Sequence, residues 1–589
     1  MRRFIVFGLA TALLAAAPAL AREPAHSREQ LDALFDRIWA WQLRSHPEFA
    51  TYVGVAGYDD RWTDHSLEAI AARQREEREF LRELEAVDVD PLDESARLDL
   101  ELIRKSFEIS VEGFRFHSEY LALTQLDGVQ IDVAQLMESM PTGSIADFEN
   151  RIARLRAVPA LIDQSIALLE RGLATGITQP RIALREIPEQ IRSLLTDDPA
   201  ESPLLLSFAQ LPDEIPAADG ARLRAAARQV VADAVYPAYR KLLGFVEQRY
   251  LPGARESIAL SALPDGRDWY AYNARYHTTT SLTPDAIHEL GLAEVTRIRA
   301  EMDGILRDIG FDGSFAEFGE FLRGDPQFYF ETPDQLLDAY RAICKKADPE
   351  LVKLFGKLPR LPYGVKPVPD FQAASAPTAY YQPGSLQSGR PAYFFANTYE
   401  LSTRPSWEME ALALHEGVPG HHLQIALSQE REQAHDLLRY NFYTAFVEGW
   451  GLYAESLGER MGFYSSPYSK LGRLTYEIWR AIRLVVDTGM HARGWSRERA
   501  IEFFKQNAPK DEHDVVVEVD RYIVWPGQAL AYKIGELKLQ ALRELAQRRL
   551  GAAFDIRAFH DQILLRGALP LDVLEQRMRE WLDAQVGRN

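Results

Sequence analysis

Leu31, Leu34, Phe35, Ile38 and Trp39 recur at intervals of three and four, and the same spacing runs on from about Ser27 to Thr196. That period gathers apolar side chains on one helix face and predicts a helical body. Ala72 to Glu85 is densely charged, the pattern of a solvated helix face. Ser144 ahead of Ile145-Ala146-Asp147 marks a helix start. Thr283-Pro284-Asp285 and Thr332-Pro333-Asp334 mark two more, with threonine as the cap and proline at the first helical position. Asp197 to Gly220, rich in Pro, Asp and Ala, interrupts the pattern and predicts a linker or long surface loop, with helices resuming from about Ala221.

Pro359 to Pro391 has a different character. Seven prolines in these 33 residues exclude helix over most of the stretch. Two aromatic runs, Ala379-Tyr380-Tyr381 and Ala392 to Thr398, read as strands, with Ser388-Gly389-Arg390-Pro391 as the turn between them. From Trp407 the helical period returns through Glu408, Met409, Leu412 and His415, which starts a helix near Ser406. Trp479 to His491 and Ser496 to Gln506 extend the helical pattern. The predicted fold is predominantly α, with a small antiparallel β element before the His415 helix. The regions are 22–220, 221–358, 359–400 and 401–589, read as one intertwined body in two lobes around a cleft.

Met1 to Ala21 has a basic start at Arg2-Arg3, a short apolar run and an Ala19-Leu20-Ala21 end, and reads as a secretory signal cleaved after Ala21. The run is short for a membrane span, and no later stretch is longer and equally apolar. The mature chain is expected to be exported, to a Gram-negative periplasm, without stable membrane insertion. Cys344 is the only cysteine, which excludes an intramolecular disulfide, and its helical surroundings make it an ordinary helix residue. The formal charge of -19 becomes -21 when Arg2 and Arg3 leave with the signal, so nucleic acid is excluded as a natural partner. No oligomeric state is read from the pattern.

The chemistry is concentrated in His415-Glu416-Gly417-Val418-Pro419-Gly420-His421-His422, where three of the thirteen histidines fall within eight residues. A His-Glu pair on a helix followed by another histidine is how zinc hydrolases present two imidazoles to a metal and a general base to water. The spacing departs from the four-residue histidine interval of that motif. His421 is six positions after His415 and His422 is seven. Six positions part the side chains around a helix; seven return them to one face, but two turns and roughly 10 Å apart. Pro419-Gly420 offers a way out, because proline interrupts the bonding pattern and glycine tolerates unusual dihedrals. The chain is expected to bulge across Gly417 to Gly420 and resume with a histidine facing the metal. The alternative is a histidine cluster that merely caps a helix break.

Glu448 lies 33 residues after His415, among Phe446, Val447, Trp450, Leu452 and Tyr453. Ionised carboxylates are rarely buried in such surroundings without a partner or a metal. Glu455, seven residues on, shares its helix face and is a candidate to orient a ligand histidine, against a plain solvated carboxylate. Further on, Asp520-Arg521-Tyr522 leads through the Pro526-Gly527 break to Tyr532-Lys533.

Three motifs in order, His415 to Gln424, Glu448-Gly-Trp-Gly-Leu-Tyr-Ala-Glu455, and Tyr522-Ile-Val-Trp-Pro526-Gly527-Gln528 through Tyr532-Lys533-Ile-Gly535, resemble the bacterial DUF885 family. The resemblance covers most of the chain after the signal segment. It implies a gluzincin-like zinc metallopeptidase whose helical body is similar to those of thimet oligopeptidase and M32 carboxypeptidases. It implies His421 rather than His422 as second ligand, since those peptidases place Gly-His after their His-Glu pair. It also implies that Tyr393 to Thr398 serves as an edge strand for an extended substrate, with a structural hairpin as the alternative. Arg521, Tyr522 and Tyr532 are placed beside the metal as oxyanion donors, with Arg521 also able to hold a terminal carboxylate. The resulting expectation is a zinc peptidase for short or unfolded peptides, with one Zn2+ on His415, His421 and Glu448 and with Glu416 as general base. The alternatives are a metal-dependent hydrolase of an ester, lactone or small amide, and a non-catalytic peptide-binding protein.

Overall fold

The computed structural model describes residues 24–369, 373, 376–385 and 389–587. The expected signal, 1–21, and Ser388 of the expected turn lie outside them. The predicted helix starts are realised by side-chain caps. Ser144 accepts from the Asp147 amide ahead of Ile145–Thr175, and Thr283 from the Ala286 amide ahead of Pro284–Ile309. Thr332 and Gln335 form a reciprocal capping box ahead of Pro333–Ala347.

The apolar faces meet in three large cores. One joins side chains between Leu31 and Phe107 to others between Ala274 and Leu582, so the first helices pack against the last. A second is built from Leu123 to Ala254. The third spans Ala183 to Ala529 and includes much of the Pro467–Ala492 helix. Asp197 to Gly220 departs from the linker expectation. It forms short helical turns, and Leu204, Leu205 and Phe208 are buried in the second core, so apolar side chains between the prolines anchor it. The next helix starts at Ala217 rather than Ala221.

The helix Pro467–Ala492 runs through the interior and is buried over most of its length. Tyr476, Arg480, Arg483 and Asp487 recur along it at helical spacing, all buried. Among the described residues no helix is long and apolar enough to cross a membrane.

The proline-rich stretch folds into three strands, β1 (Tyr363–Pro367), β2 (Ala379–Gln382) and β3 (Ala392–Ala396), in the order β1-β3-β2. β3 pairs in parallel with β1, Val365 opposite Phe394, and antiparallel with β2, Tyr381 opposite Phe394. This corrects the edge-strand reading of Tyr393 to Thr398: β3 is central, its backbone groups already face two neighbours, and the outer strands are β1 and β2. β1 escaped the sequence pattern because Pro362 and Pro367 frame it, and proline argues against a strand until its edge position is known. The buried Phe394 ring meets Tyr340 edge-on at 5.0 Å, fixing the sheet to the helical body.

Candidate metal centre

Leu412, Ala413 and Leu414 are all buried, so the Met409–Glu416 helix is held on every side and carries His415 and Glu416 at its last turn into the interior. The helix stops there, and a second one begins at His421 and runs to Gln429. Between them lie Gly417 to Gly420, with a cis peptide at Val418-Pro419. Gly420 is required by close approach: a Cβ there would stand 1.9 Å from the His415 carbonyl oxygen and 2.4 Å from that of Leu414. The Trp450 indole donates to the Pro419 carbonyl at 2.8 Å and pins the connection to the Thr444–Leu457 helix.

This break does what a continuous helix could not. His415 and His421 rings lie 4.6 Å apart, nearly perpendicular at 85°. His415 Nε2 and His421 Nε2 are 3.6 and 3.4 Å from Glu448 Oε2. His415, His421 and Glu448 each offer one ligand-type atom, all within 4.8 Å of one another. His421 Nδ1 is buried without a hydrogen-bond partner among the described residues. Gly451 makes room for the first imidazole, because a Cβ there would fall 2.7 Å from His415 Cε1.

Glu455 is 1% exposed and accepts from His415 Nδ1 at 2.8 Å. Its burial sets aside the solvated-carboxylate alternative. His422 goes elsewhere. Its Nδ1 is 3.1 Å from the Tyr381 hydroxyl and its ring lies 4.3 Å from that of Tyr363, between β2 and β1. Burial pushes its pKa down to about 4, so it stands there as a neutral imidazole. Glu416 is buried beside the cluster, and its charge acts on His415. Burial opposes a charged His415, but its hydrogen bonds to Glu448 and Glu455 outweigh that and push its pKa up to about 9. Burial likewise opposes ionised Glu448, and the two histidines hold it well below the usual carboxylate range.

The third motif reaches this region unevenly. Tyr532 is buried, and its oxygen accepts from Arg521 Nη2 at 3.1 Å. Tyr522 has its hydroxyl engaged: it accepts from Arg483 Nε at 2.8 Å and Trp479 Nε1 at 3.1 Å, and donates to Glu518 at 2.6 Å. Arg521 pairs with Glu518 at 3.3 Å and donates to Gln528 at 2.7 Å. Arg480 and Arg483 were missed by sequence reasoning. Arg480 Nη2 is 3.9 Å from Glu455 Oε1, and Arg483 lies 4.5 Å from the centre of the Tyr532 ring. The signal in the sequence is the recurrence of Tyr476, Arg480, Arg483 and Asp487 at intervals of three and four along one helix face.

A predominantly helical body with a two-histidine, one-glutamate cluster at a broken helix is the class that fold and site define. The chain belongs to the DUF885 family, described as bacterial protein of unknown function, whose profile matches residues 47–578. Among solved structures it is similar to a candidate lipoprotein from Colwellia psychrerythraea, with 28% identity and a TM-score of 0.91 over 95% of this chain and 99% of that one. A candidate lipoprotein of unknown function from Shewanella oneidensis shares the fold at 18% identity and a TM-score of 0.71, over 95% of this chain and 100% of that one. No curated protein matches.

Proposed function

We propose that this chain is an exported, metal-dependent peptidase that hydrolyses short or unfolded peptides. The observation that carries the reading is the convergence of His415, His421 and Glu448 within 4.8 Å, with Glu455 on the outer nitrogen of His415. Two imidazole nitrogens and a carboxylate oxygen are a donor set that zinc takes in catalytic sites, where a further position stays open. Zinc held there would supply a Lewis acid that polarises a carbonyl and acidifies water.

The remaining work falls to side chains. Glu455 holds the proton on His415 Nδ1, which leaves Nε2 as the ligand atom on the Glu448 side. Glu416 accepts a proton from the attacking water and returns it to the leaving amine. Tyr532, whose oxygen accepts from Arg521, would donate its hydroxyl to the oxygen on which charge develops. Preference for short or unfolded peptides follows by analogy with helical peptidases that enclose a cleft. Export is supported by the signal-like Met1–Ala21 segment and by the descriptions of the two solved relatives as candidate lipoproteins.

Elemental analysis of protein purified without added metal tests the reading, with wild type, His421→Ala and His422→Ala run together. Wild type and His422→Ala should each hold about one zinc per chain, and His421→Ala should lose it. No metal in any of the three, even after zinc is offered, would overturn the proposal.

A further inference from the structure

Three guanidiniums converge beside the candidate metal centre. Arg483, Arg480 and Arg521 stand 4.5, 6.0 and 6.0 Å from the centre of the Tyr532 ring. Arg480 Nη2 approaches Glu455 Oε1 to 3.9 Å, and that same oxygen takes the His415 hydrogen bond. One carboxylate therefore separates the arginine row from a candidate ligand.

Opposing charge is short. Glu518 is shared between Arg483 and Arg521, and Glu455 is engaged by His415. Among the described residues Arg480 otherwise donates only to the Tyr476 carbonyl, at 3.2 Å. Arg480 Nε, Arg483 Nη1 and Arg521 Nε are buried with no hydrogen-bond partner among the described residues, and Arg480 and Arg483 are only 6% and 4% exposed. Leaving buried charged donors unmet is costly, so these groups call for a further acceptor. General surface charge does not explain them, because the chain carries a formal charge of -19. Arg521 keeps 18% of its side-chain surface open, and Glu448 of the candidate metal cluster keeps 17%.

We infer that Arg480, Arg483 and Arg521 form an anion subsite for the free carboxylate of a peptide, so that the chain removes residues from peptide C-termini. The inference rests on the peptidase reading above for the bond that is cut. Guanidinium forks match a carboxylate in two parallel hydrogen bonds, and the rings of Tyr476, Trp479 and Tyr532 flank them and keep the local dielectric low. A terminal carboxylate stands at a fixed distance from the last peptide bond, so a subsite next to the metal centre selects that bond. An acidic side chain would offer the same chemistry without that constraint.

The test separates these sources and does not depend on turnover. Binding of N-acetyl-leucine, N-acetyl-leucine amide and N-acetyl-aspartate α-amide is measured by calorimetry on the full chain, in wild type, Arg480→Gln and Arg521→Gln. Wild type should bind the free acid at least about tenfold more tightly than the leucine amide, and both substitutions should erase the difference. The two variants lie on different helices, and the wild-type comparison stands even if one of them fails to fold. Equal or absent binding of acid and amide would overturn the subsite. Preference for the aspartate amide over N-acetyl-leucine would overturn the terminal assignment. Hydrolysis of one peptide as free acid and as C-terminal amide then tells the two proposals apart. Equal cutting of both sinks the subsite and keeps the peptidase; selective binding with no cutting of either sinks the peptidase and with it the C-terminal trimming.

Discussion

Glu455 Oε1 and His415 Nδ1 are joined by a 2.8 Å hydrogen bond between side chains that are 1% and 3% exposed. With a carboxylate on Nδ1, Nε2 is the nitrogen left on the Glu448 side for a metal to take. Glu455→Gln keeps a side chain of the same size and removes the negative charge. It is expected to weaken metal binding by about 10- to 100-fold while leaving the fold intact. Competitive zinc titration against a chelating dye, alongside circular dichroism, checks this; unchanged affinity would remove Glu455 from the site.

Gly451→Ala places a methyl group 2.7 Å from His415 Cε1, closer than real contacts allow. Either the ring or the Thr444–Leu457 helix must shift. The expected cost is about 1–3 kcal/mol of stability, together with impaired metal retention. Thermal unfolding with and without zinc measures both, and a variant with wild-type zinc stabilisation would show that the ring has not moved.

Glu416→Gln should retain zinc and lose about 10²- to 10⁴-fold in peptide turnover, the range that general-base catalysis contributes. Single-turnover hydrolysis by protein of measured zinc content is the decisive assay. Unchanged turnover excludes Glu416 as the base.

Asp487 supplies a pH prediction away from the metal ligands. Burial pushes its pKa up to about 7, although it accepts from the Tyr270 hydroxyl at 2.5 Å and the Gly527 amide at 3.1 Å. In an unfolded chain an aspartate titrates near about 3.9. The native state therefore binds the extra proton between roughly pH 4 and 7, and stability falls as pH rises through that window. Asp487→Asn should remove this slope, melting near wild type at pH 5 and above it at pH 8. Melting temperatures of both proteins across pH 4–8 test it, and parallel curves would refute the assignment.

Sequence reading went far on the helices because their signals are local. Thr283 and Thr332 cap the helices they were expected to cap, since the capping oxygen lies only three residues from the amide it meets. The departures concern contacts remote in sequence. Asp197 to Gly220 reads as a linker until Phe208 is seen in a core with side chains from other helices. β3 reads as an edge until β1, about thirty residues earlier, pairs with its other side.

At the site the division has the same cause. Residue types and spacing alone marked His415, Glu416 and Glu448 as a metal-type constellation and placed a break at Pro419-Gly420, because proline and glycine act on their own stretch of backbone. The family resemblance favoured His421, but only the tertiary structure turned His421 toward Glu448 and His422 toward Tyr381, since that choice depends on how the connection packs under Trp450. It also buried Glu455 and drew Arg480 and Arg483 beside Arg521. Electrostatic partnership is a matter of distance in space, and helices that meet through side chains far apart in the chain leave little trace of that distance in sequence order.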